Sequence, residues 1–206
     1  RNGLAVAVAA RQTGKLDELA RETGASVHGC NAADARDVAA LFEALDAAGK
    51  TPDVVVYNAS SRVRGALVDL APEDVKRAIE VSAFGAFLVS QQAVKRMLPK
   101  GHGAVLLSGA TAGVKGFALS ATFAMGKFAL RGLAQSMARE LSPKGIHVAH
   151  FVIDGGIRSA ARPVPAETPD SLLDPDAIAE TYWHVLQQHR SAWSWEVEVR
   201  PWVEKF

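Results

Sequence analysis

The chain has 206 residues, 49% hydrophobic and 22% charged, with a formal net charge of +1 at pH 7. That length supports one α/β domain with a sizeable core, and the composition excludes disorder. The near-neutral charge argues against a nucleic-acid surface, and no apolar run reaches the roughly 18 residues of a membrane span.

Residues 4–10 read as a strand, residues 13–22 as a helix stopped by Gly24, and residues 26–30 as a second strand. Asp34 opens a helix over residues 34–48, its acidic start suited to the helix dipole, and Gly49 follows its end. Asp53-Val-Val-Val-Tyr57 has no polar alternation, as expected of a strand covered on both faces. Pro72 suits the first turn of a helix that can run to Leu98, where Pro99 stops it. Residues 103–108 form a strand, residues 120–141 a helix closed by Pro143, and residues 145–153 a strand. Residues 175–188 are a helix and residues 194–200 a last, alternating strand. Strands separated repeatedly by helices predict right-handed βαβ units and a doubly wound parallel sheet, Rossmann-like, in a single domain over residues 1–206. The Pro-rich residues 162–174 read as one long loop of the kind that covers sites.

Several features point to structure more than chemistry. Cys30 is the single cysteine, so no internal disulfide forms and a reducing, cytoplasmic setting is expected. Its thiol has no catalytic context. His102, His147 and His150 show no metal spacing, and the last two fall on opposite faces of one strand, so no metal site is expected. Gly109, Gly113 and Gly116 follow a strand, but their spacing does not match a phosphate cradle and suits a substrate loop. Met125, Phe128, Gly132, Leu133, Ser136 and Met137 form a second stripe on the residue 120–141 helix, which suggests burial against a partner subunit, or else a second core face.

Three ordered segments carry a resemblance. They are Val54-Val-Val-Tyr-Asn58-Ala59-Ser60, then Gly103 through Ser108-Gly-Ala110 to Phe123-Ala-Met-Gly-Lys127, then Lys144-Gly-Ile-His-Val-Ala-His-Phe-Val-Ile-Asp154-Gly155. Together they resemble the short-chain dehydrogenase/reductase family across nearly the whole chain. The family carries an opening strand, a Gly-x-x-x-Gly-x-Gly loop and a first helix, about 30 residues that this sequence lacks. The first strand of such a fold lies mid-sheet, so its omission should leave two strands unpaired and an apolar face uncovered. The expectation is that an initial βα unit is missing from the chain as given, which should fold poorly alone.

The resemblance implies a dinucleotide cofactor at the carboxyl ends of the strands. Where an NAD reader would place a carboxylate, this chain has Ala10 followed by Arg11. A guanidinium there can grip a 2′-phosphate, so NADP(H) is favoured and NAD(H) possible; a plain surface arginine is the alternative. The resemblance places Asn31 near the adenine, Asn58 and Ala59 under the adenosine ribose, and Gly155 and Ile157 at the nicotinamide amide. Asp154 stands where the family carries proline.

The same resemblance assigns the catalytic positions. The family's tyrosine, which supplies the proton, is Phe123 here. Its serine is Ala110, its asparagine is Ser82, and its lysine is preserved as Lys127. A benzene ring has no proton to give and a methyl group cannot polarise a carbonyl, so ordinary ketone reduction should be slow by several orders of magnitude. Ser108, Thr111, Ser120 and Thr122 are nearby hydroxyls, and Thr111 is the most plausible substitute donor. Two readings stand. One is an oxidoreductase for an unknown small carbonyl, enone or quinone substrate; the other is a catalytically weak or inactive dinucleotide-binding protein. A homodimer or homotetramer is similar to the family's habit, with neither nucleic acid nor membrane as partner.

Overall fold

The computed structural model describes residues 3–204. Strands β1 (Ala7–Ala10) and β2 (Ser26–Gly29) pair in parallel as a two-stranded sheet. Strands β3 (Val54–Tyr57), β4 (Gly103–Ser108), β5 (Ile146–Ile153) and β6 (Glu196–Val199) pair in parallel, in that order, as a second sheet. The intervening helices are α1 (Asp17–Thr23), α2 (Ala35–Ala47), α3 (Pro72–Ile79), α4 (Gly85–Met97), α5 (Ala121–Leu141) and α6 (Pro175–Leu186). This is the α/β architecture expected from the sequence, with its parallel strands divided between two sheets. Among the described residues, the outer edges of β1 and β3 pair with no strand, and Val6 and Val56 are 49% and 51% exposed there.

Strand alternation distributes the core. Val105 and Leu107 of β4 point into a cluster with Phe42 of α2, Met97 of α4, and Leu130 and Ala134 of α5. Cys30 and Tyr57 belong to the same cluster, so one apolar interior joins both sheets. Leu106 points the other way, to Ala149, Phe151 and Val185 of α6. Helices therefore cover both faces, which is why these strands carry runs of Val, Leu and Ile without polar alternation.

Local signals set the boundaries. The Asp34 carboxylate accepts from the backbone N–H of Arg36 and Asp37 and caps α2. Asp174 does the same for α6 through Asp176, with Pro175 in the first turn. Several elements differ from the sequence reading: the last strand is Glu196–Val199 rather than residues 194–200, and α6 ends at Leu186 rather than at 188. The first strand covers only Ala7–Ala10. The first helix begins as a 3₁₀ turn, Thr13–Leu16, ahead of α1. The long helix expected over residues 72–98 is continuous but passes through a π turn, Glu80–Phe84, between α3 and α4. That turn sets the fully buried Ser82 directly against Gly126 of α5, where an added Cβ would lie 2.8 Å from the serine Cβ. The close approach depends on a glycine from a different helix, so periodicity alone could not reveal it.

Candidate active site

All strands run in parallel, so their carboxyl ends lie on one side of each sheet. Arg11 follows β1, Asn31 lies just past β2, Asn58 and Ala59 follow β3, Ala110 and Thr111 lie past β4, and Gly155 follows β5. Arg11, Asn58 and Ala59 are exposed, while Asn31 and Ala110 are half-buried. The Asn31 amide oxygen accepts from the Ala33 N–H at 3.3 Å, and its backbone N–H donates to Asp37 at 2.9 Å. Gly155 has φ +145°, a conformation open to glycine, and a side chain there would press on Pro201. Ile157 pairs with Leu173 in an isolated parallel bridge, which folds residues 162–174 back towards the strand ends.

Helix α5 brings the other residues to β4. Lys127 is 3% exposed, and its Nζ donates to the Ser108 carbonyl at 2.6 Å. Burial lowers its pKa from 10.5 to about 8. One turn earlier, the Phe123 ring meets two cations: Lys127 Nζ is 5.8 Å from the ring centroid and the Arg62 guanidinium carbon 5.3 Å. Ser82 accepts from the Ser61 N–H at 3.2 Å and backs onto α5 at Gly126. The structure thus gathers Phe123, Lys127 and, through the β4 carbonyl, the Ala110–Thr111 turn. Ser82 meets α5 at Gly126 from the π turn.

The candidate hydroxyls are largely committed. Thr111 Oγ1 donates to Asp154 at 2.5 Å, and Thr122 Oγ1 donates to the Val63 carbonyl at 2.6 Å. Ser108 Oγ pairs with Tyr182 Oη at 2.7 Å, on the face covered by α6. Burial pushes the Tyr182 phenol up to about 12, and it stacks on Phe151 with centroids 3.6 Å apart.

Two buried networks escaped the sequence reading. Asp154, 6% exposed, holds Thr111 and also meets Arg200 at 3.3 Å, so it ties the turn after β4 to the segment after β6. This gives the acidic residue at the family's proline position a physical role. Glu196 accepts a two-pronged bond from Arg131 of α5, at 2.6 and 2.7 Å, and faces His150 Nδ1 at 3.0 Å. Burial lowers the pKa of His150 despite Glu196, and the Arg131 hydrogen bonds lower that of Glu196. His147 bonds the Ser194 carbonyl and stacks on Trp193. Among the described residues, no group of three His, Cys, Asp or Glu side chains could hold a metal ion, and no helix is long and apolar enough to cross a membrane. The one available signal for Glu196 was an acidic residue at an inward position of an alternating strand.

Comparison with known proteins agrees with this architecture. Residues 1–175 match a family described as enoyl-(acyl carrier protein) reductase. The chain is 34% identical over 153 residues to the 3-dehydrosphinganine reductase TSC10B of Arabidopsis thaliana, covering 71% of this chain and 46% of that protein. A short-chain dehydrogenase from Rhodopseudomonas palustris superposes with a TM-score of 0.82 at 32% identity, covering 97% of this chain and 88% of that one. A metagenomic short-chain oxidoreductase solved with NADP superposes at 0.83 with 25% identity, covering 98% and 87%. The chain belongs to the short-chain dehydrogenase/reductase family. It spans about half the length of the curated relatives it matches, 46% and 42% of the first two.

Proposed function

We propose that the protein is an NADP(H)-dependent oxidoreductase that transfers hydride to or from a small carbonyl, enone or quinone. The observation that carries this reading is Lys127: a buried ammonium beside Phe123, anchored by a single hydrogen bond to the carbonyl end of β4. A buried cation without a counter-charge is costly to keep unless it meets a ligand.

The residues along the strand ends fit a dinucleotide by their chemistry: a guanidinium, two amides, a glycine-opened backbone and an ammonium. Arg11 would hold the 2′-phosphate, Asn31 the adenine, Asn58 and Ala59 the adenosine ribose, Gly155 and Ile157 the nicotinamide amide, and Lys127 the nicotinamide ribose. The bound dinucleotide supplies or accepts the hydride. Phe123 lines the chamber without donating a proton, and Ala110 adds no hydrogen bond. Thr111 gives its proton to Asp154, so its hydroxyl offers a substrate chiefly lone pairs. Such a chamber favours substrates that spread charge over a conjugated system, as quinones and enones do. NADP bound to a 25% identical relative supports the cofactor reading.

The paired losses at Phe123 and Ala110 also favour a second reading, a dinucleotide-binding protein with little or no turnover. On either reading a second copy of the chain is the expected partner. Phe84, Phe87, Met125 and Phe128 expose an apolar patch across the α4 and α5 region, each 40% exposed or more. The deciding experiment titrates the full-length protein with NADPH and NADH by fluorescence, then follows 340 nm absorbance with carbonyl, enone and quinone panels. NADPH binding with turnover of an activated substrate is expected. Binding with no turnover selects the second reading, and tighter NADH than NADPH removes the role given to Arg11.

A further inference from the structure

We propose that Lys127 is itself the proton donor of the reaction, its ammonium standing in for the phenol that Phe123 lacks. The inference rests on the oxidoreductase reading above and names the group that completes it.

The surroundings leave few donors. The chain has two tyrosines. Tyr57 donates to the Val81 carbonyl, and Tyr182 pairs with Ser108 Oγ beneath α6. Thr111 and Thr122 have given their protons to Asp154 and to the Val63 carbonyl. Arg62 flanks the Phe123 ring, but a guanidinium does not release a proton in proteins. Lys127 flanks the same ring from 5.8 Å, and one of its three N–H bonds is satisfied by the Ser108 carbonyl. The other two have no hydrogen-bond partner among the described residues, although the side chain is almost wholly buried. A buried N–H without an acceptor calls for one, and a substrate oxygen beside Phe123 would provide it.

The chemistry balances. A reduced nicotinamide bound at the strand ends would supply a hydride to the carbonyl carbon, and the C=O π pair would move onto oxygen. An Nζ–H bond of Lys127 breaks and its proton joins that oxygen, giving the alcohol and the oxidised cofactor. The neutral amine regains a proton from water. Burial, which lowers the pKa of Lys127 to about 8, fits the side chain to act as an acid near neutral pH. The titratable and charged groups nearest it are Arg62, across the Phe123 ring, and His150 on β5, whose pKa Lys127 helps to lower and which meets Glu196 of β6 beside Arg131 of α5. Glu196 is taken by Arg131, and Asp154, behind Thr111, by Arg200.

The test needs one readout apart from turnover. In the full-length protein with isotope-labelled lysines, the Lys127 side-chain resonance, assigned by its loss in Lys127→Arg, should titrate with a midpoint of about 8. A midpoint alongside ordinary lysines, about 10.4, overturns the proposal. With saturating NADPH and an activated substrate, kcat should fall about tenfold per pH unit above that midpoint. Lys127→Arg keeps the charge but has no transferable proton, so kcat should drop at least about 100-fold at saturating NADPH. Adding Phe123→Tyr to that variant returns a phenol and should recover at least about tenfold of the loss. A Lys127→Arg enzyme within about threefold of the parent kcat, or a flat pH profile, overturns Lys127 as the acid while leaving the oxidoreductase reading intact. A parent protein that binds no dinucleotide and turns nothing over refutes both. If Lys127→Arg does not fold, Lys127→Met assigns the resonance, and its titration in the parent and the parent pH profile decide.

Discussion

Removing the Asp154 carboxylate should cost about 3 kcal/mol of folding stability, a sum that the structure allows to be apportioned. The carboxylate is 9% exposed and has two partners: Thr111 Oγ1 at 2.5 Å and Arg200 at 3.3 Å. Breaking a buried, charge-assisted hydrogen bond and stranding the Thr111 hydroxyl accounts for about 2 kcal/mol. The Arg200 share is smaller, about 1 kcal/mol, because its side chain is 18% exposed and keeps Glu198 as a second partner. Asp154→Ala removes both interactions, whereas Asp154→Asn keeps an acceptor for Thr111 and should cost about 1 kcal/mol. Urea denaturation of Asp154→Ala, Thr111→Val and the double variant closes a cycle. The coupling should be about 1.5–2 kcal/mol, because the two single variants delete the same bond. A coupling under about 0.5 kcal/mol, or an Asp154→Ala protein as stable as its parent, would show that Asp154 does not hold the turn after β4.

Lys127→Met should make the ligand-free protein more stable at pH 7. The folded pKa of Lys127 is about 8 against 10.5 unfolded, so between those values the folded state binds fewer protons and stability rises with pH. Burial of the charge costs about 3 kcal/mol below that window, less the Ser108 bond that methionine loses, so the variant should lead by about 2 kcal/mol at pH 7 and lose that lead by pH 10.5. A pH-independent difference in denaturation midpoints would contradict it. Gly126→Ala and Gly132→Ala, both inside α5, should move in opposite directions by thermal melt. The first forces a Cβ to 2.8 Å from Ser82 and costs about 2 kcal/mol, while the second meets nothing within 4 Å and gains about 0.5–1 kcal/mol. Tyr182→Phe breaks the bond to Ser108 but keeps the ring on Phe151, so the expected loss is about 1 kcal/mol. A loss above about 3 kcal/mol would mean the phenol has a further role. On the acid side, burial holds the pKa values of His147 and His150 below 6.5, so stability should fall as pH drops through that value. His150→Gln should flatten part of that decline.

The order of strands and helices was legible because periodicity, proline and glycine act over short distances. Pro72 began α3, Asp34 capped α2, and the run from Val54 to Tyr57 announced a buried strand. What stayed hidden depends on partners remote in sequence. Thr111 and Asp154 lie 43 residues apart, and Arg131 and Glu196 lie 65 apart. The π turn needs Gly126 opposite Ser82, a contact between helices rather than within one. The apolar stripe on α5 was legible as a stripe but not as two halves. Leu133 and Met137 pack on the core, whereas Met125 and Phe128 remain on the surface. The site positions were legible only as residue types; which hydroxyls were already committed required coordinates.

Charge allocation explains why Lys127 differs from an ordinary buried lysine. Two carboxylates lie near its neighbours, and neither pairs with its ammonium among the described residues. Asp154 is occupied by Arg200 and Thr111, and Glu196 by Arg131 and His150. What faces the ammonium is the Phe123 ring, whose attraction for a cation is worth about 1 kcal/mol, well short of the desolvation cost. A tyrosine at position 123 would offer an oxygen that could ionise and share the proton. Phenylalanine cannot, so the cost of burying the charge falls on the lysine alone and appears as a weakened hold on its proton. The missing counter-charge would be provided by the oxyanion that forms on a substrate as hydride arrives.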